Sequence, residues 1–272
     1  MANFLSVQSF SGLNKLSVNP CKLLDFQLLN LADGETFEGE SGNRELLAVI
    51  LGGRATFTVG DQLFERVGER PNVFAGKPYA VYIPCQTGYT VTGFGGVEIG
   101  LTSAPSDLLS APYVIPPEKV TRQERGAANF KSHVFPVLTL AGQPELPARR
   151  LIVGEMFIPS GNWGAYPPHR HEKDDLPREA DLEEMYFFKI NPPDGFGLTR
   201  LYNAEIDSAY VVRDNTILMA PDGYHTVVSA PGYTTYVLWL LAGSQRVLAS
   251  TEDPALAWVS RTVPMLREYG RA

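Results

Sequence analysis

Runs rich in Val, Ile, Tyr and Phe, each cut short by Gly, Pro, Asn or Asp, recur along the whole chain and leave little room for anything but antiparallel β-structure. The clearest cover residues 45–51, 54–59, 79–83, 96–101, 150–158, 184–190, 209–213 and 236–241. Between them, 21 prolines and 25 glycines are scattered as turn punctuation. Helical periodicity is confined to a turn or two in 253–268 and in 117–126, too little to set the class. The pattern predicts an all-β sandwich or barrel and argues against βαβ units.

The chain also reads as a loose duplication. Glu45 precedes an apolar run ending at Gly52 and Gly53, and AVYIPCQTGYTVT follows; Glu184 precedes a strand ending near Pro192 and Gly195, and ILMAPDGYHTVV follows. Aligning Gly88-Tyr89 with Gly223-Tyr224 sets Thr90 opposite His225, so the first half lacks a residue able to bind metal. One half is expected to be structural and the other active. The boundary falls in the Pro-rich connection 111–147, giving an N-terminal unit 1–125 and a C-terminal unit 126–272.

Composition removes several classes of partner. With 44% apolar and 19% charged residues the 272-residue chain can bury a large core, and its net charge of −7 carries no basic run for nucleic acid or an anionic membrane. An anionic small molecule would need a few cations gathered locally in a pocket. The longest apolar stretch, 233–243, is about half the length a helix needs to cross a bilayer. MANFLSVQSF lacks the basic-then-apolar order of a secretory signal, and Cys21 and Cys85, in no metal or CxxC spacing, read as buried thiols, so a cytoplasmic setting is expected. Exposed sheet edges suit a homo-oligomer, although no interface stripe stands out.

Three of the four histidines fall into one arrangement: His169 and His171 in PPHRH, and His225 in PDGYH. Residues two apart on a strand share a face, so both imidazoles of the HxH pair can enter a barrel interior. A carboxylate and a third imidazole would complete a site for a divalent cation. Glu184, ahead of MYFFKI with Tyr186 and Phe188 on its face, is the natural carboxylate, whereas Glu183 faces the other way. Asp174, Asp175, Glu179 and Asp181 lie in the intervening loop without fixed facing, His133 stands apart, and Arg170 turns away from its flanking histidines.

HxH, then Glu before an aromatic strand, then PxG with a His just beyond, resembles the two sequence blocks of cupin barrels. HRHEKDDLPREADLEEMYFFKINPPDGFG, PDGYHTVVSAPGYTTYVLWLLAG and, in the first half, GERPNVFAGKPYAVYIP look more specifically like the 5-deoxy-glucuronate isomerases of bacterial myo-inositol catabolism, over nearly the whole chain. The DDLP-containing insert favours these over 5-keto-4-deoxyuronate isomerases, whose first block is shorter. Two positions depart from the pattern: Asn191 stands where cupins carry Gly, and Trp239 where Asn is expected. The resemblance implies two tandem cupin (jelly-roll) barrels and one divalent metal ion, whether Zn, Mn, Fe, Co or Ni. It also implies conversion of 5-deoxy-glucuronate, an aldose acid, into 2-deoxy-5-keto-gluconate, a ketose acid.

Moving a carbonyl by one carbon needs a proton taken from the neighbouring carbon and one returned, with the developing negative charge stabilised; a hydride shift is the rival route. Glu183, Tyr186 and Tyr202 are the candidate proton carriers, with Lys189 turned outward by alternation, and Arg200 is the candidate cation for the substrate carboxylate. Two other readings stand beside the isomerase. A cupin dioxygenase would use the same ligands to hold iron, and a non-catalytic sugar-binding barrel would need no metal at all.

Overall fold

A computed structural model describes residues 3–270, and they form three antiparallel sheets. In the first half a single eight-stranded sheet is built on two long strands, Arg44–Val59 and Gly88–Pro105, which pair along their length and bend at bulges near Gly52 and Gly53. In the second half an eight-stranded sheet containing Ile152–Ile158, Glu179–Asn191, Thr216–Ala220 and Thr234–Gly243 faces a five-stranded one containing Trp163–Arg170, Gly197–Tyr202 and Tyr224–Ser229.

The run LLAVIL at 46–51 is apolar at every position because both faces of its strand are covered. Leu46, Ala48 and Ile50 enter the first half's own core with Phe57, Val91 and Ile99. Leu47, Val49 and Leu51 enter a core shared with the second half, where they meet Met185, Phe187, Leu238 and Leu240. The strand Glu179–Asn191 repeats the arrangement: Met185 and Phe187 join the shared core, while Tyr186, Phe188 and Ile190 line a third core with Leu201, Val212 and Val227. Phe26 stacks on Phe187 across the junction at 4.8 Å between centroids. Truncating such a buried ring costs roughly 3–5 kcal/mol.

Carboxylates reinforce this junction in both directions. Glu45 is fully buried and accepts hydrogen bonds from the backbone N–H groups of Arg149, Arg150 and Leu151 at 2.6–2.9 Å and from the Tyr82 hydroxyl. Glu183 accepts from the N–H groups of Lys22, Leu23 and Leu24 at 2.7–3.1 Å. The ladders make the two residues counterparts, since Glu45 pairs with Ala104 as Glu183 pairs with Ala242 in the corresponding long ladders. The expected repeat is therefore shifted by one residue: Glu45 matches Glu183, and Leu46 matches Glu184. Thr90 likewise lies on the outer face beside Glu38 and Thr58, while Tyr89 and Val91 point into the core. A third link, Arg70 to Glu155, is almost wholly buried and receives the Tyr236 hydroxyl.

Sheet membership changes between Ile115 and Gln123, because Gln123–Arg125 already pairs with Ser132–Leu138 in the second-half sheet. A division at 125/126 thus separates two strands of one ladder. Phe4–Ser6 also crosses over and pairs with Thr216–Ala220 at the edge of the second-half sheet. The insert after His171 is no loop but a hairpin of Glu172–Asp175 against the start of Glu179–Asn191, so the strand opens five residues before Glu184. Of the two helical stretches expected, 253–268 forms an α-helix, Val263–Tyr269, and 117–126 gives only the short 3-10 turn Pro117–Lys119. No helix among the described residues is long and apolar enough to cross a membrane.

Candidate metal centre

His169 sits near the end of Trp163–Arg170, directly opposite His225 on Tyr224–Ser229. His171 follows just beyond that strand, and Glu184 enters from the facing sheet. Arg170, between the two histidines, turns outward to stack on Tyr224 and to pair with Glu172 at 2.7 Å, as alternation requires. Gly223 holds a left-handed φ of +93°, and a side chain there would crowd the Tyr202 carbonyl oxygen; this is the turn that brings His225 inward.

The four side chains offer ligand atoms that all lie within 4.8 Å of one another. Glu184 Oε2 is 2.8 Å from His171 Nε2 and 2.7 Å from His225 Nε2. His171 Nδ1–H donates to the Leu182 carbonyl at 2.6 Å, and His225 Nδ1–H donates to the Gly223 carbonyl at 3.1 Å. Those backbone acceptors fix the rings so that Nε2 points to the common centre, the outer-shell arrangement found around metal-bound imidazoles. Donors that bond one ion at about 2.0–2.2 Å lie within about 4.4 Å of one another, so a slight contraction closes the set on a divalent cation.

Burial and mutual contact set the electrostatics of the cluster. Burial, followed by the neighbouring His225 ring, pushes His169 down to about 3, so it stays a neutral donor. Burial opposes ionisation of Glu184, but His225 and His171 outweigh it and hold the carboxyl well below its usual range. Burial also disfavours a charged His171, yet its hydrogen bond to Glu184 raises it above the ordinary value. Burial and the adjacent Glu184 raise Tyr186 well above a free phenol, so its hydroxyl keeps its proton.

His169 and Glu184 appear in the wall of a cavity of about 410 Å³, together with Tyr186, Met156, Tyr166, Trp239, Arg125 and Glu252. Trp239 fills the space that a side chain at Gly154 would occupy and also lines this cavity, and the four clustered side chains keep their places beside it. Of the expected proton carriers, Tyr186 alone reaches the cavity. Glu183 is on the opposite face of its strand, bound to the 22–24 backbone. Tyr202 is on the outer face, donating to Asp253 and stacked on Tyr224.

Arg200, expected to meet the substrate, shares that outer face, where it lies over the Tyr202 ring and forms a two-pronged pair with Asp207. The reason is alternation: Thr199 and Leu201 are the buried residues of this strand, so Arg200 and Tyr202 must point out. Lys189 pairs with Glu98 of the first half, and His133 contacts Arg122 and Glu124 away from the cluster. Cys85 is buried, and partly buried Cys21 has its thiol pushed up by burial, then by Glu183; neither is bonded to the other.

Two cavity residues had no signal in the sequence. Glu252 lies on the two-residue strand Thr251–Glu252, opposite His169, and accepts from the Ser260 hydroxyl. Arg125 ends a three-residue strand. Elements this short carry no periodicity.

The KduI/IolB family pattern matches residues 12–259. The 5-deoxy-glucuronate isomerase of Geobacillus kaustophilus (strain HTA426) is 38% identical over 238 residues, covering 86% of this chain and 84% of that protein. The enzyme of the same name from Bacillus subtilis (strain 168) is 33% identical over 239 residues, 87% of each chain. Among solved structures, an IolB-like protein from Salmonella typhimurium LT2 superposes with a TM-score of 0.89 at 28% identity, over 95% of this chain and 99% of that one. Oxalate decarboxylase from Lactobacillus farciminis shares the fold, with a TM-score of 0.65 at 11% identity over 93% of this chain and 88% of that one. With a family match over most of its length and relatives above 30% identity across both halves, this two-barrel, cupin-like chain belongs to the KduI/IolB family.

Proposed function

We propose that this protein is a metal-dependent aldose-ketose isomerase that converts 5-deoxy-glucuronate into 2-deoxy-5-keto-gluconate. The observation that carries the reading is the convergence of three imidazoles and one carboxylate from both facing sheets, with His169 and Glu184 opening onto a cavity large enough for a six-carbon sugar acid. The name shared by relatives over most of the chain supports the substrate.

His169, His171, Glu184 and His225 would hold the cation. When bound, a divalent ion in such a set keeps a net positive charge and stabilises the negative charge that develops on the substrate oxygens. The chain's own residues then manage protons. Tyr186 holds its proton at the cavity wall and is placed to donate it, while Glu252 is the carboxylate of the wall outside the ligand set and is placed to accept one.

The test is elemental analysis of the purified protein together with anaerobic conversion of 5-deoxy-glucuronate followed by mass spectrometry. Stoichiometric metal and a product of unchanged mass are expected. Turnover that stops without oxygen would replace this reading with a dioxygenase. Intact sugar-acid binding by the His169→Ala, His171→Ala double variant, with no turnover by the parent, would replace it with a binding protein.

A further inference from the structure

On the reading that the substrate is a sugar acid, we propose that Arg125 receives the substrate carboxylate. It is the single cationic side chain in the wall of the cavity that contains His169 and Glu184, among the described residues. Glu252, the carboxylate of that wall outside the ligand set, repels an entering anion, so a positive group nearby offsets it. Nearby cations are already engaged: Arg122 and Lys131 both pair with Glu124. The Arg125 guanidinium has no ion pair or side-chain hydrogen bond among the described residues, which leaves its planar fork available to a carboxylate.

The backbone around Arg125 is held from both sides. Arg267, on the terminal helix, donates to the carbonyl of Glu124 at 3.3 Å and to that of Gly126 at 3.1 and 3.2 Å, the residues that bracket Arg125. On the other edge Arg125 pairs with Ser132, itself in the cavity wall. Gly126 has a φ of +70°, and a side chain there would collide with the Phe130 carbonyl, so the chain turns away immediately after Arg125 and Phe130 folds back into the wall. The same terminal segment contributes Ser260 and Val263 to the cavity. One wall of the site is thus a clasp between the 123–126 segment and the C-terminal helix, with Arg125 as its charged member.

The experiment is steady-state kinetics of the metal-loaded protein with 5-deoxy-glucuronate, and with 5-deoxy-glucose, its neutral counterpart, as competitor. For Arg125→Gln the KM for the acid is expected to rise roughly 10- to 100-fold with kcat changed far less, as for loss of a charge-assisted hydrogen-bonded pair. The inhibition constant of 5-deoxy-glucose should stay constant, because that ligand has no carboxylate to lose. Arg267→Gln should shift KM in the same direction by less, and Arg200→Gln should leave it unchanged. If Arg125→Gln fails to fold, Arg125→Lys decides, with a raised KM and retained kcat expected. An unmoved KM for the acid, or equal weakening of acid and neutral sugar, overturns the role of Arg125 while leaving the isomerase reading intact. A parent protein that never converts 5-deoxy-glucuronate overturns both.

Discussion

The two barrels place equivalent residues on equivalent ladders and fill them differently. Where the second has Glu184, the first has Leu46; where the second points His225 inward, the first points Tyr89 and Val91. What the halves keep in common is the carboxylate one residue earlier, Glu183 or Glu45, each capping three backbone N–H groups of the other half. The comparison separates two uses of the same acidic residue type. Facing the junction, a glutamate fixes geometry; one position on, it enters a site where chemistry can occur.

The largest effect should follow from making the second barrel resemble the first. Glu184→Leu should retain strand content by circular dichroism, lose bound metal by elemental analysis, and lower turnover roughly 10,000-fold, the scale expected when a Lewis acid is removed from a charge-developing reaction. Retained metal and activity would show that the difference between the barrels is not what confers function.

Next in size is the link that has no twin. Arg70→Met strands the Glu155 carboxylate in the shared core, and denaturant titration should show a loss of roughly 3–5 kcal/mol. Replacing Glu155 with Met as well should recover much of it. A double variant as unstable as the single one would mean that the pair acts through packing alone.

The smallest effect sharpens the comparison itself. Glu183→Gln and Glu45→Gln should each cost about 1–3 kcal/mol by exchanging an acceptor for a group that leaves an N–H unmatched. For Glu183→Gln, kcat should stay within about twofold, because a residue bound to the opposite face touches no reacting atom. A collapse of kcat with stability retained would return Glu183 to the list of proton carriers.

Much of this was legible in the amino-acid sequence. Apolar runs such as LLAVIL marked strands, and the HxH spacing with PDGYH brought together three imidazoles, two on adjoining strands and His171 just past the end of one. Alternation from Glu184 placed Tyr186 inward and Glu183 outward correctly, since a strand's period of two needs only one anchored residue. It misled at Arg200, where sharing a face with Tyr202 says nothing about which face is buried. Arg125 and Glu252 were invisible for another reason: each lies on a strand of two or three residues that is positioned by distant partners, Arg267 and His169. The repeat was read one residue out because Gly-Tyr pairs mark turns, and turns can slip by one where ladders cannot.

The edge strand Phe4–Ser6 carries a consequence for how the molecule is made. Asn3 hydrogen-bonds to the carbonyl of Met219, 216 positions away. A chain leaving the ribosome exposes this segment long before its partner exists, so that closure waits until the strand some 216 positions later has emerged. Whatever displaces Phe4–Ser6 would uncover the Thr216–Ala220 edge of the second-half sheet, so this short strand seals that edge against pairing with another chain.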